Sequence, residues 1–258
     1  MGKQSNNGWS DVWSNIDFDP DLIVERGQKS SFFSLISDVI QKKFGSIDNL
    51  NTIELGSGMG TVSLLLALQG ANPTLVDNND VALQRAKELF NYFNIKPKIR
   101  NEDMFSLDMN DELKFDVCLS VGLIEHFTGE KRKEAIKAHV RTVKKKGLVL
   151  LVVPNKYCFN YRIWMSLAKL IRRWNYGYEE PFSRKELSSL ATEVGLKNTQ
   201  VNGTDFVSSF EHLLIFFKPT IQRALGMKTF PPVQVFPDYK ITLLDNHLGK
   251  NLHLIGEV

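Results

Sequence analysis

The residues best suited to chemistry stand at the ends of short apolar runs. Glu54-Leu55-Gly56-Ser57-Gly58-Met59-Gly60 sets three glycines at alternate positions directly after one such run. Glycine lets a backbone turn sharply from strand to helix and pass close to a ligand without a Cβ in the way. In a dinucleotide site such a turn holds pyrophosphate at a helix N-terminus, with G-x-G-x-x-G spacing. Here the third glycine comes one residue early, Thr61 stands in its usual place, and the acid Glu54 precedes the first glycine by two. A carboxylate is a poor neighbour for pyrophosphate and a tolerable one for a ligand carrying an ammonium and a sulfonium, which disfavours a nicotinamide cofactor.

Asp77, with Asn78 beside it, closes the next apolar run, where an acid can accept hydrogen bonds from both vicinal hydroxyls of a ribose. Glu102-Asp103-Met104-Phe105 follows the third run. A carboxylate followed by a free backbone N–H reads an adenine edge, accepting from the exocyclic amine and donating to a ring nitrogen. Amino-acid end, ribose and adenine thus appear in chain order, the order of S-adenosylmethionine. Each piece also has a plainer reading: the glycines as turn formers, and Asp77 as the cap of a helix opening near Asp80. Taken jointly, in order and spacing, they favour the ligand.

These motifs, with Ser120-Val121-Gly122-Leu123-Ile124-Glu125-His126-Phe127, Val153-Pro154-Asn155 and the run from Phe182 to Leu196, resemble class I S-adenosylmethionine-dependent methyltransferases of the small-molecule type. The resemblance spans Asn51 to about Gln200. It implies a seven-stranded sheet whose last strand is antiparallel. It also implies that Glu54, Gly56, Ser57 and Gly58 lie by the methionine moiety, Asp77 and Asn78 by the ribose, Asp103 and Met104 by the adenine, and the backbone of Ser120 and Val121 by the amino group. The expected activity is in-line methyl transfer to a small aromatic or apolar acceptor, in which positioning supplies most of the acceleration.

His126 is the candidate general base, since it follows the fourth strand and titrates near neutrality. Glu125 can orient it, bind the acceptor or contact the cofactor; a purely structural role for the pair in its loop is the competing reading. Tyr157, just past the fifth strand, is a second candidate. Some methyltransferases bind a divalent ion through Glu-x-x-Glu-His here, but Gly122 replaces the first carboxylate. Too few oxygen ligands remain for a hard cation, so no metal is expected. Nucleic-acid amino-methylation is disfavoured, because no Asn/Asp-Pro-Pro-aromatic run follows the fourth strand and Val153-Pro154-Asn155-Lys156-Tyr157 follows the wrong one.

The elements that must position these residues alternate strand and helix from Leu50 onward, predicting an α/β fold: a doubly wound, seven-stranded, mostly parallel sheet with helical cap insertions. Strands are expected at Asn51–Leu55, Pro73–Asp77, Lys98–Asn101, Phe115–Val121, Gly147–Val153, about Asn198–Val201 and Asn251–Val258. A helix is expected over Gly129–Lys146, carrying the basic runs Lys131-Arg132-Lys133 and Lys144-Lys145-Lys146 on a solvated face, and another opened by a Ser183/Glu186 capping box. The expected organisation is an N-terminal helical cap (1–45), a core (46–204) with a lid insertion (156–181), a second aromatic cap (205–246) and a last core strand (247–258). In the lid, Tyr161, Trp164, Leu167, Ala168, Leu170, Ile171 and Trp174 form a broad apolar face opposite Arg162, Lys169, Arg172 and Arg173. Such a helix either packs on its own domain or lies on a membrane, where a lipid or quinone-like acceptor would meet it.

With 258 residues, 43% of them hydrophobic, the chain can bury a substantial core. A net charge of +3 is too balanced to imply nucleic acid. The two cysteines, Cys118 and Cys158, form no disulfide framework, and a reducing compartment is the simpler reading. No apolar run reaches the ~20 residues of a spanning helix. Met1 to Asn6 shows neither a signal core nor a complete myristoylation pattern, so a cytoplasmic protein with at most peripheral membrane contact is expected. Oligomeric state stays open, as does a second class of function: a catalytically silent member that binds the cofactor and acts through a partner.

Overall fold

The computed structural model describes residues 7–16, 18–107, 114–210 and 241–258. Seven strands, β1 (Asn51–Leu55), β2 (Asn72–Asp77), β3 (Lys98–Asn101), β4 (Phe115–Val121), β5 (Val143–Pro154), β6 (Lys197–Thr204) and β7 (Asn251–Glu257), form one sheet in the order β3-β2-β1-β4-β5-β7-β6. The pairs from β3 to β5 are parallel, and β7 runs antiparallel to both β5 and β6. This is the doubly wound, seven-stranded, mostly parallel sheet expected from the alternation of elements. Strand order reverses between β1 and β4, and ligands of open α/β sheets bind at such a switch point, beyond the strands' carboxyl ends.

Period-two burial explains the layers. On β5, Leu148, Leu150 and Val152 face one core, while Val149, Leu151 and Val153 face the other. The first core is closed by α2 (Pro20–Gln28), α3 (Ser31–Phe44), α4 (Thr61–Ala67) and α5 (Asp80–Tyr92), through Val24, Ile36, Leu65 and Phe90. The second is closed by α6 (Glu130–Thr142) and α8 (Arg184–Glu193), through Ile136, Leu187 and Ala191. A strand buried on both faces has to be apolar throughout, which is why Gly147 to Val153 reads as an unbroken run. Three further helices are described: α1 (Asn7–Ser14), α7 (Phe159–Leu170) and α9 (Leu243–Leu248).

Several elements depart from expectation, each for a physical reason. The helix predicted to reach Lys146 ends at Thr142, and Val143 to Lys146 belongs to β5. Val143 pairs with Phe115, the register jumps before Val117–Leu148, and Lys144 bonds Asp116 at 2.5 Å. The lysine run therefore lies on a bulged strand start, not on a helix face. Arg132 is buried, stacked 3.3 Å above the Phe182 ring and 3.1 Å from Glu186. The Ser183 hydroxyl accepts from the Glu186 N–H as a cap should, but the Glu186 carboxylate goes to Arg132, leaving the capping box half-made. Within the second aromatic cap, Phe216, Phe217, Phe230 and Phe236 lie outside the described residues. No helix among the described residues is long and apolar enough to cross a membrane.

Candidate active site

The glycine turn joins β1 to α4 with Gly56, Gly58 and Gly60 all left-handed, at φ 60°, 55° and 70°. That conformation costs any residue with a Cβ about 1–2 kcal/mol. Gly60 is also the α4 N-cap and offers no side chain to it. Glu54, wholly buried beneath the turn, fills that role: its Oε2 accepts from the Ser63 N–H at 3.2 Å and from the Ser63 hydroxyl at 2.5 Å. Burial pushes the Glu54 carboxyl up to about 7. The structure thus places Glu54 as the cap under the turn.

Asp77 ends β2 directly beside the turn. Its carboxylate accepts from the Gly58 N–H at 2.8 Å and the Asn79 N–H at 2.9 Å. Burial pushes its pKa up against those hydrogen bonds. It does not cap α5; the Asn79 side chain does, accepting from the Ala82 N–H. Asn78 follows in the same turn. After β3, Glu102 is paired to Arg100 at 2.7 Å, whereas Asp103 is exposed with one oxygen on the Phe105 N–H, and Met104 is buried. At the end of β4, Ser120 is buried and its hydroxyl has no partner among the described residues, with Val121 following. A turn with glycine at alternate positions, an aspartate fixed beside it and a hydroxyl at the next strand end without a partner among the described residues fit a nucleoside-bearing ligand laid across β1, β2 and β4.

On the other side of the switch point, Glu125 and His126 sit in a 3₁₀ turn, Ile124–His126. The His126 Nδ1 lies 2.6 Å from the Tyr178 carbonyl. A carbonyl only accepts, so Nδ1 carries a hydrogen, and in the neutral ring the lone pair is on Nε2. Glu125 is 3% exposed, its Oε2 has no partner among the described residues, and burial pushes its pKa up to about 8. Close by, the Tyr161 hydroxyl donates to Glu179 Oε1 at 2.6 Å, and burial pushes Glu179 up as well. Tyr157 is exposed and lines an outer groove with Phe159 and Ile163; the ring that meets His126 is Trp9.

That ring belongs to α1, which the sequence reading did not place at the site. Trp9 meets His126 edge-on at 5.1 Å, and a chain of rings continues through Tyr176, Trp174 and Trp164 to Tyr161 at centroid spacings of 6.2, 5.2, 5.3 and 5.6 Å. One turn further along α1, Trp13 covers the glycine turn; a Cβ on Gly58 would fall 2.4 Å from its ring. The helix is tied down by Ser10 to Asn79 and by Arg85 to the carbonyls of Trp13 and Ser14. The only trace of this in the sequence is two tryptophans four apart in an otherwise polar start. Among the described residues, no three His, Cys, Asp or Glu side chains converge as a metal would require.

Comparison with known proteins agrees with the geometry. Residues 53–147 match the methyltransferase domain family. The ubiquinone biosynthesis O-methyltransferase of Rickettsia bellii is 25% identical over 176 residues, 65% of this chain and 70% of that protein. The ribosomal protein L11 methyltransferase of Thermosipho africanus is 33% identical over 134 residues, but these cover only 49% of this chain and 46% of the relative. In fold, the chain is similar to magnesium protoporphyrin IX methyltransferase from Synechocystis, solved with bound SAH (TM-score 0.59, 11% identity, 97% of this chain and 93% of that one). It is also similar to a SAM-dependent methyltransferase from Archaeoglobus fulgidus (TM-score 0.54, 13% identity, 88% and 94%). Residues 53–147 thus match a methyltransferase domain, and the sheet order is that of the solved S-adenosylmethionine-dependent methyltransferases to which the chain is similar in fold.

Proposed function

We propose that this enzyme methylates a hydroxyl of a small aromatic or apolar acceptor, with His126 as the base. The observation that carries this reading is the bond from His126 Nδ1 to the Tyr178 carbonyl, which leaves Nε2 free to take a proton. In the donor half, Asp77 anchors the ribose hydroxyls, Asp103 and the Met104 N–H read the adenine, and the turn at Gly56 to Gly58 admits the methionine portion. When bound, S-adenosylmethionine supplies a methyl group on a sulfonium. The Trp9 ring holds a flat acceptor against His126. As the acceptor oxygen forms its bond to the methyl carbon and the carbon–sulfur bond breaks, His126 Nε2 takes the hydroxyl proton. The products are a methyl ether and the neutral thioether. A free phenol near neutrality keeps its proton, so a base within hydrogen-bond reach contributes typically ~10²–10⁴-fold. The ubiquinone biosynthesis O-methyltransferases among the relatives support a hydroxylated ring as acceptor.

The test is calorimetric titration with S-adenosylmethionine, followed by turnover with a panel of catechols and hydroquinones, each product weighed by mass spectrometry. Donor binding with a methyl ether product is expected. Methylation of amines in preference to phenols would overturn the hydroxyl acceptor. Donor binding without turnover on any acceptor would favour the silent cofactor-binding reading instead.

A further inference from the structure

We propose that the outer face of α7 docks the protein on an anionic lipid bilayer. The helix has two apolar faces. Tyr161 and Ala168 are buried inward, with Trp164 half-buried between them, and Asn160 donates to the Ser209 hydroxyl. That inner face accounts for packing on the domain. A second row, Phe159, Ile163 and Leu167 at helical spacing, continues past the helix end to Leu170 and Ile171, and all five are exposed, Leu170 by 77%. The row borders an outer groove of about 500 Å³ that Lys156 and Arg162 also line. Among the described residues, Phe210 meets the Phe159 ring at 6.2 Å at one end of the row, and Ile163, Leu167, Leu170 and Ile171 stay exposed. A contiguous exposed apolar surface of this kind marks a binding face, not a solvent face.

Charge selects the occupant. From Lys156 to Tyr178 the chain carries five basic residues, Lys156, Arg162, Lys169, Arg172 and Arg173, and no acid. All five are exposed. A second copy packed on the same face would set cation against cation, which opposes association. RNA would suit the cations but would leave the apolar row in water. A bilayer with anionic headgroups satisfies both, the side chains of the row entering the acyl boundary while the cations stay among the headgroups. α7 follows the carboxyl end of β5, and its inner rings begin the aromatic chain that ends at His126, so docking would turn the acceptor side of the site toward the lipid. This inference rests on the α7 surface alone, and its failure would leave methyl transfer untouched.

The test is co-sedimentation of the full chain with vesicles of phosphatidylcholine alone or mixed with phosphatidylglycerol, at low and high salt. The wild type is expected to sediment with the mixed vesicles only, and less at high salt. Ile163→Glu/Leu170→Glu and, separately, Arg172→Glu/Arg173→Glu should each weaken partitioning about tenfold or more, since one basic residue near an anionic surface contributes roughly fivefold. All four positions are exposed, and an unchanged melting shift with S-adenosylmethionine will confirm that each variant is folded. The proposal is overturned by failure of the wild type to sediment with mixed vesicles, or by variants that sediment equally well. It is also overturned if the arginine variant loses binding to a single-stranded RNA while vesicles are ignored, or if the apolar variant only dissociates a dimer.

Discussion

The two halves of the cleft to which the proposed function assigns donor and acceptor are built by different means. Between β1 and β3 the site is made of backbone: three left-handed glycines, a capping glutamate beneath them, and an aspartate held by two N–H groups. Across the switch point it is made of rings and buried acids: Trp9, Tyr176, Trp174 and Trp164 in successive ring contact, and Glu125, whose Oε2 has no partner among the described residues. Hydrogen bonds of fixed geometry suit one unvarying ligand. Ring packing tolerates a change of shape, so this half is where a scaffold adapts to its acceptor. Helix α1 touches both halves, through Trp13 and Trp9.

The sharpest break is Asp77→Ala. Two hydrogen bonds to a carboxylate contribute on the order of 3–6 kcal/mol, so donor affinity should fall about 100-fold or more by calorimetry while circular dichroism is unchanged. A fall of only a few-fold would mean that Asp77 does not anchor the ribose. The mirror experiment is His126→Ala, which should lower kcat about 10²-fold and leave the donor Kd within about twofold. If both parameters moved together, the two halves would not be separable.

Stability should vary with pH in a way that divides the halves further. Glu125 has its pKa raised to about 8 and Glu54 to about 7, so each holds its proton in the folded state and loses it on unfolding in between. Each therefore contributes stability that is full below the unfolded value of 4.5 and is lost as pH rises through its folded value. The slope is about 1.4 kcal/mol per pH unit per group. His139 and His253, buried and lowered to about 4, act in the opposite sense and lose stability as pH falls below 6.5. Between 4.5 and 6.5 these four groups offset one another, and above that range the two glutamates alone give a decline toward pH 8. Glu125→Gln should flatten that alkaline decline in urea titrations; an unchanged slope would mean that Glu125 is ionised in the native protein.

Smaller effects follow at the α1 contacts. Gly58→Ala adds a Cβ at φ 55° against Trp13 and should cost about 1–2 kcal/mol for the backbone alone, a melting decrease of several degrees. Trp9→Leu removes the ring contacts with His126 and Tyr176 and should raise the acceptor KM about 3–10-fold without moving the donor Kd. A matching change in donor affinity would show that α1 acts as one rigid lid over both halves.

The sheet, and the meeting of the glycine turn with Asp77, were legible in the sequence because both depend on local spacing. A glycine turn after a strand, and an acid at the end of the next, stay recognisable wherever the strands finally pair. Asp77 was ambiguous between ribose and cap until the structure gave the cap to Asn79. Across the switch point Glu125 and His126 were legible as candidates from their place after the fourth strand, whereas Trp9 and Glu179 were not, because they reach the same place from distant segments that no periodicity links. The helix predicted through Lys146 failed because Lys144 to Lys146 have helix-compatible side chains, while the pairing of Val143 with Phe115 is a long-range contact. Arg132 looked solvated within a basic run, and only the approach of Phe182 and Glu186 buries it.

The sheet order also sets a timetable for synthesis. Strands β5 and β6 both leave the ribosome before β7, the strand that must lie between them. Until β7 inserts, β5 presents the long apolar edge from Leu148 to Val153 with its pairing groups open, and β6 has no neighbour to join. Such an edge is a template for pairing with other chains, so the nascent protein stays vulnerable to aggregation over the whole interval that separates Thr204 from Asn251. Yield in the cell should therefore depend on chaperone supply and on translation rate across that interval more than on the stability of the finished fold.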